Sequence, residues 1–154
     1  IGGGFPVGAI AAKKEVMEHL APVGGVYQAG TLSANPVAMI AGLTTLQQCD
    51  EAFYLKLYKQ ATKIVDTFNE WLQAGEFSDY KIVQYKSLFW LVPTDKELKR
   101  VEDIPTNLLD RFYKLFETLL NKGIYLSPNG YEIGFASIAH DEKVIEDLKQ
   151  RLWN

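Results

Sequence analysis

The chain has 154 residues, 47% of them apolar and 23% charged, an ordinary globular composition long enough to bury one sizeable core. A formal net charge of −3, a pI near 5.4 and no basic patch argue against a nucleic-acid binder or a protein held on anionic membranes. A single cysteine, Cys49, leaves no disulfide framework and no paired-cysteine metal site and fits a reducing, cytoplasmic setting. No apolar run approaches the ~18 residues of a membrane helix, and the amino end lacks the charged start of a secretory signal.

Taken in order, Ile1 is an unusual first residue and suggests a fragment or a cleaved chain. A glycine-rich turn follows, and Val7 to Ala12 reads as a short buried strand between Pro6 and Lys13-Lys14. A short helix is expected over Lys14 to Leu20. Pro36 to Gln48 is apolar on more than one face (Val37, Met39, Ile40, Leu43, Leu46), which predicts a helix buried within something larger. Phe53, Leu57, Ala61, Ile64, Phe68 and Leu72 keep helical spacing up to Gly75, giving a long amphipathic helix between two regions with a border near Gly75.

Beyond it, Tyr80 to Gln84 and Ser87 to Val92 read as strands of a hairpin turning at Tyr85-Lys86. A helix from Pro105 to Lys122 carries Leu108, Phe112, Leu115 and Leu119 on one face and stops at Gly123. Ile124 to Leu126 and Ile133 to Ser137 are expected as short strands. Asp141 then caps a last helix with Val144, Leu148 and Leu152 toward the sheet. The second region is thus an α+β arrangement of helices on a small sheet.

The chemistry concentrates in Tyr27-Gln28-Ala29-Gly30-Thr31-Leu32-Ser33-Ala34-Asn35-Pro36. Gly30 lets the backbone approach a ligand closely, and the Thr31 hydroxyl can donate to a phosphate oxygen. Asn35 and Pro36 are a good N-cap and first helical residue, so amide donors and a positive helix end are expected nearby. An ordinary capped helix after a loop has the same signature. His19 and His140 read as locally hydrogen-bonded residues and the lysines as solvated charges; no metal site is expected.

Five blocks occur in a fixed order: Ile1-Gly2-Gly3-Gly4-Phe5-Pro6-Val7-Gly8-Ala9, the Tyr27–Pro36 run, Ser87-Leu88-Phe89, Leu120 to Pro128, and Tyr131 to His140. Over essentially its whole length the chain resembles the glutamate-1-semialdehyde 2,1-aminomutase family, within the class III aminotransferase group. The resemblance implies an α/β fold, the fold-type I architecture of PLP-dependent transferases. Residues 1–75 would be the end of the PLP-binding large domain with a bridging helix, and residues 76–154 the C-terminal small α+β domain.

It further implies pyridoxal 5′-phosphate as cofactor, passing through the pyridoxamine 5′-phosphate form, and a small-molecule substrate. Gly30 and Thr31 would bind the cofactor phosphate of the neighbouring subunit in a homodimer. Tyr27 and Glu132 would lie on the substrate side. In the family the Schiff-base lysine precedes the glycine run and the carboxylate partner of the ring nitrogen comes earlier still. No catalytic residue is therefore assigned within this chain, and the lysine is expected upstream of Ile1.

The activity implied is transfer of an amino group from C2 to C1 of glutamate 1-semialdehyde, yielding 5-aminolevulinate for tetrapyrrole synthesis. Related aminotransferases grip an α-carboxylate with an arginine near the position of Glu132. A glutamate there repels such a carboxylate and favours the internal shift. Another class III aminotransferase is the alternative, against which Gln28-Ala29-Gly30-Thr31 and Glu132 argue; a non-catalytic role for the isolated chain is a third. Two residues depart from the family pattern: Ala34, where glycine is usual, and Tyr131, where phenylalanine is usual.

Overall fold

A computed structural model describes residues 1–154, which divide into two compact units, Ile1–Phe53 and Tyr54–Asn154. In the first unit the helix expected after Lys13 is short: α1 spans Lys14–Met17, and the chain then turns back so that Leu20 bridges to Val26. The strand expected over Val7 to Ala12 does not form. That segment is largely exposed, and no strand of this chain lies beside it to take up its backbone hydrogen bonds, without which β-forming residues build no ladder.

α2 spans Pro36–Gln47, starting where Asn35 and Pro36 predict. The Asn35 side-chain oxygen accepts from the amides of Val37 at 3.1 Å and Ala38 at 3.2 Å. Only the small residues Ala38 and Gly42 are buried. Val37, Met39, Ile40, Leu43 and Leu46 remain 42 to 64% exposed on a helix that has no charged residue. A narrow strip of α2, rather than the whole helix, is thus covered within the chain.

α3 spans Glu51–Ala74 and enters the second unit by packing. Ala61, Ile64, Val65, Phe68 and Leu72 lie in one core with Phe77, Phe89, Leu115 and Leu119. The division of contacts therefore falls ahead of this apolar face, whereas composition places a border at its end, near Gly75. Antiparallel strands β1 (Lys81–Tyr85) and β2 (Leu88–Val92) pair from Lys81↔Val92 to Tyr85↔Leu88. The turn is Lys86-Ser87, one residue later than the sequence suggests, with Lys86 at φ +53°.

After a charged loop comes α4, Leu108–Asn121, whose buried side is the predicted set Leu108, Phe112, Leu115 and Leu119. Gly123 ends it at φ +73°: its amide donates to the Leu120 carbonyl at 2.8 Å, and the Ile124 amide to that of Leu119 at 2.8 Å, a Schellman closure. This explains why Ile124 to Leu126 is not a strand. The Ile124 amide belongs to the helix cap, and its side chain is buried against the core.

Of the expected strand over Ile133 to Ser137 only β3, Gly134–Phe135, forms, pairing with β2 at Leu88 and Phe89. β2 is therefore the central strand, in the order β1-β2-β3. α5, Glu142–Trp153, is capped by Asp141, whose side chain accepts from the Val144 amide at 3.1 Å. Ile145 takes the buried place expected for Val144. At 100° per residue, Ile145 lies about 20° from Leu152 around the helix and Val144 about 80°.

Tyr80 is 3% exposed, stacks edge-on to Phe77 with ring centroids 5.7 Å apart, and has the Arg111 guanidinium 5.7 Å from its ring. Its hydroxyl has no hydrogen-bond partner. Burial pushes the phenol up to about 12, against the opposing influence of Arg111. Its contribution to stability is therefore intact below the unfolded pKa of about 10 and is lost as pH rises toward 12. The expected loss across that window is about 2–3 kcal/mol. Denaturant midpoints at pH 9 and 11 should show about half of this fall, and Tyr80→Phe should remove it; an equal fall in the variant refutes the assignment.

Candidate functional site

The Gly30–Ala34 loop folds as consecutive turns, with the Ser33 amide on the Gly30 carbonyl at 2.9 Å and the Asn35 amide on that of Leu32 at 3.2 Å. An open cleft of about 420 Å³ runs between Pro6, Val7 and Gly8 on one side and Gly30, Leu32, Ser33, Ala34 and Met39 on the other. A Cβ on Gly30 would stand 3.0 Å from the Ser33 hydroxyl, so a side chain there would crowd the loop. Ala34 sits at φ +55°, a left-handed conformation that disfavours a Cβ by roughly 1–2 kcal/mol. The departure from glycine at this position thus falls on a residue whose backbone favours glycine.

Free amides at the entry of α2 are not found. Pro36 has none, Val37 and Ala38 donate to the Asn35 side chain, and Met39 donates to the Asn35 carbonyl at 2.9 Å. The cap uses the donors that a helix entry otherwise offers an anion. Thr31 instead is exposed, and neither its amide nor its hydroxyl has a partner within the chain. Two unengaged donors on one residue beside Gly30 suit a phosphate. Tyr27, 82% exposed, follows the Leu20–Val26 bridge, and neither it nor Thr31 lines the cleft, whose loop wall is Gly30 and Leu32 to Ala34.

Glu132 belongs to the second unit. Its amide closes a turn on the Asn129 carbonyl at 2.9 Å, while the Tyr131 amide donates to the Asn129 side chain at 3.1 Å and the Asn129 amide to the Ser127 hydroxyl at 3.3 Å. The turn borders a 40 Å³ pocket with Phe89, Leu91, Phe112 and Leu126. A carboxylate beside an apolar strand is costly without a partner unless water reaches it. Glu132 has no partner, but it is exposed and water solvates the charge.

One contact of this turn has only a faint sequence signal. The Trp90 indole N–H donates to the Gly130 carbonyl at 2.7 Å. A tryptophan in the middle of a strand announces a donor needing a partner, without saying where the partner lies. A second cleft of about 570 Å³ follows the charged loop after β2, lined among others by Asp79, Thr94, Lys96, Asp103 and Arg111. There Arg111 is held by Asp79 and donates to the Pro93 carbonyl at 2.6 Å.

The family model for class III aminotransferases matches residues 1–140. A glutamate-1-semialdehyde 2,1-aminomutase from Leptospira interrogans is 45% identical over 147 residues, which is 94% of this chain and 33% of that protein. Among solved structures, an omega-transaminase from Sphaerobacter thermophilus superposes with a TM-score of 0.75 at 27% identity, over 99% of this chain and 36% of its own. A glutamate-1-semialdehyde aminomutase from Pseudomonas aeruginosa PAO1, in complex with PMP, gives a TM-score of 0.63 at 17% identity over 90% of this chain and 31% of its own. The expected fold-type I, α/β architecture is the one these enzymes share. The chain spans about a third of the length of the relatives it matches. It belongs to the class III aminotransferases.

Proposed function

We propose that these residues form part of a pyridoxal-phosphate-dependent glutamate-1-semialdehyde 2,1-aminomutase that makes 5-aminolevulinate. The observation that carries this reading is the 45% identity, over nearly the whole chain, to a protein of that name. Glu132, in place of a carboxylate-gripping arginine, supports it over exchange with free amino acids.

When bound, the cofactor supplies an electron sink and a carrier for the amino group. Thr31 holds the phosphate through its hydroxyl and amide, Gly30 lets the phosphate come close, and the carboxylate of Glu132 repels a competing α-carboxylate. Tyr27 contributes to the substrate side. The phosphate that Thr31 touches belongs to the neighbouring subunit of a homodimer, and the Schiff-base lysine lies outside these 154 residues, so the isolated chain is inactive. We place the enzyme in the cytoplasm, a reducing setting that the single Cys49 fits.

The holoenzyme containing this chain is expected to convert glutamate 1-semialdehyde to 5-aminolevulinate without an external amino donor. Amino transfer from alanine or a diamine to a keto acid, with no 5-aminolevulinate formed, would replace this reading by that of another class III aminotransferase.

A further inference from the structure

We propose that Trp90 is the positioning residue for Glu132, holding in place the turn from which the carboxylate is presented. This rests on the reading that Glu132 meets the substrate. Trp90 lies in the middle of β2, the central strand, opposite Val83 of β1 and next to Phe89, where β3 pairs on the other side, so its backbone has a fixed frame. Its 2.7 Å bond to the Gly130 carbonyl ties that frame to a point two residues before Glu132.

From Gly130 onward the link is stiff. The Glu132 amide returns to Asn129 at 2.9 Å and the Tyr131 amide to the Asn129 side chain at 3.1 Å, so the segment moves as one piece. The other side of Gly130 is pressed onto α4: a Cβ there would lie 2.7 Å from Leu108 Cδ2 and 2.7 Å from Phe112 Cγ. The turn is therefore clamped between the indole of β2 and the buried face of α4. The carboxylate itself has no partner, so this clamp acts on its backbone alone.

Trp90→Phe keeps an aromatic ring and removes the donor. In the holoenzyme it is expected to raise the rate of amino exchange with an external α-amino acid about three- to tenfold, the worth of one hydrogen bond, because the carboxylate that repels the incoming α-carboxylate is no longer held in place, with unchanged cofactor affinity. Hydrogen exchange at the Tyr131 and Glu132 amides is expected to speed up. The distinguishing result is non-additivity: in a Glu132→Gln background Trp90→Phe should have no further effect on the amino-exchange rate, because the group it positions is gone. Gly130→Ala, which pushes the turn off α4 and keeps the indole, should behave in the same way.

A Trp90→Phe effect on the amino-exchange rate that persists in the Glu132→Gln background overturns the proposal, as does an unchanged amino-exchange rate in Trp90→Phe when Glu132→Gln alone alters it. If Glu132→Gln leaves the rates with external amino acids untouched, the substrate role of Glu132 falls, and this proposal with it.

Discussion

Thr31→Ala is expected to weaken cofactor binding to the holoenzyme by about 10- to 100-fold, read as the rate and extent of cofactor loss on dialysis. A hydrogen bond to a charged group is worth about 1.5–3 kcal/mol, and each 1.4 kcal/mol is tenfold in affinity. The amide of residue 31 survives the change, so part of the grip remains. Thr31→Ser keeps the hydroxyl and should retain most of the affinity. Thr31 is exposed and makes no hydrogen bond within the chain, so the unfolding midpoint without cofactor should not move. Unchanged cofactor loss in the alanine variant would take Thr31 out of the site.

The largest effect on stability is expected from Leu115→Ala. Leu115 is 0% exposed, on the buried face of α4 in the core that includes Phe68, Phe89 and Leu119. Truncation removes the burial of its methyl groups and leaves a cavity, together about 2–5 kcal/mol. Against a total of about 5–15 kcal/mol for a domain, that is a large share, and a melting midpoint lower by about 10–20 °C should follow. Leu109→Ala is the control on the same helix: Leu109 is 49% exposed and its loss should shift stability by about 0.5 kcal/mol or less. Equal shifts for the two would contradict the packing.

The helices were legible in the sequence because each signals itself locally. Asn35-Pro36 marks the start of α2, Asp141 the start of α5 and Gly123 the end of α4, each through a short-range hydrogen bond or a special φ. The hairpin was legible to within one residue of its turn. Val7–Ala12 was misread because strand-forming residues become a strand only when a partner edge is beside them, and Ile124–Leu126 because the Ile124 amide is taken by the closure of α4. Val144 was misread in favour of Ile145 because an 8-residue spacing drifts around the helix faster than a 7-residue one.

The sequence by itself determined the family, the ends of the helices and the residue types of the loop at Gly30-Thr31, since these depend on composition and on neighbours a few positions apart. Only the tertiary structure decided which donors stay free. The Asn35 cap on the first amides of α2 is local, two and three residues apart, but that nothing else in the chain engages the Thr31 amide and hydroxyl is seen only once the chain is folded. It alone also decided that Glu132 stands in water and that Trp90 reaches the turn beneath it, across 40 residues of chain. A hydrogen bond between residues so far apart leaves no trace in local pattern, because it exists only once β2 and α4 have packed around the turn between them.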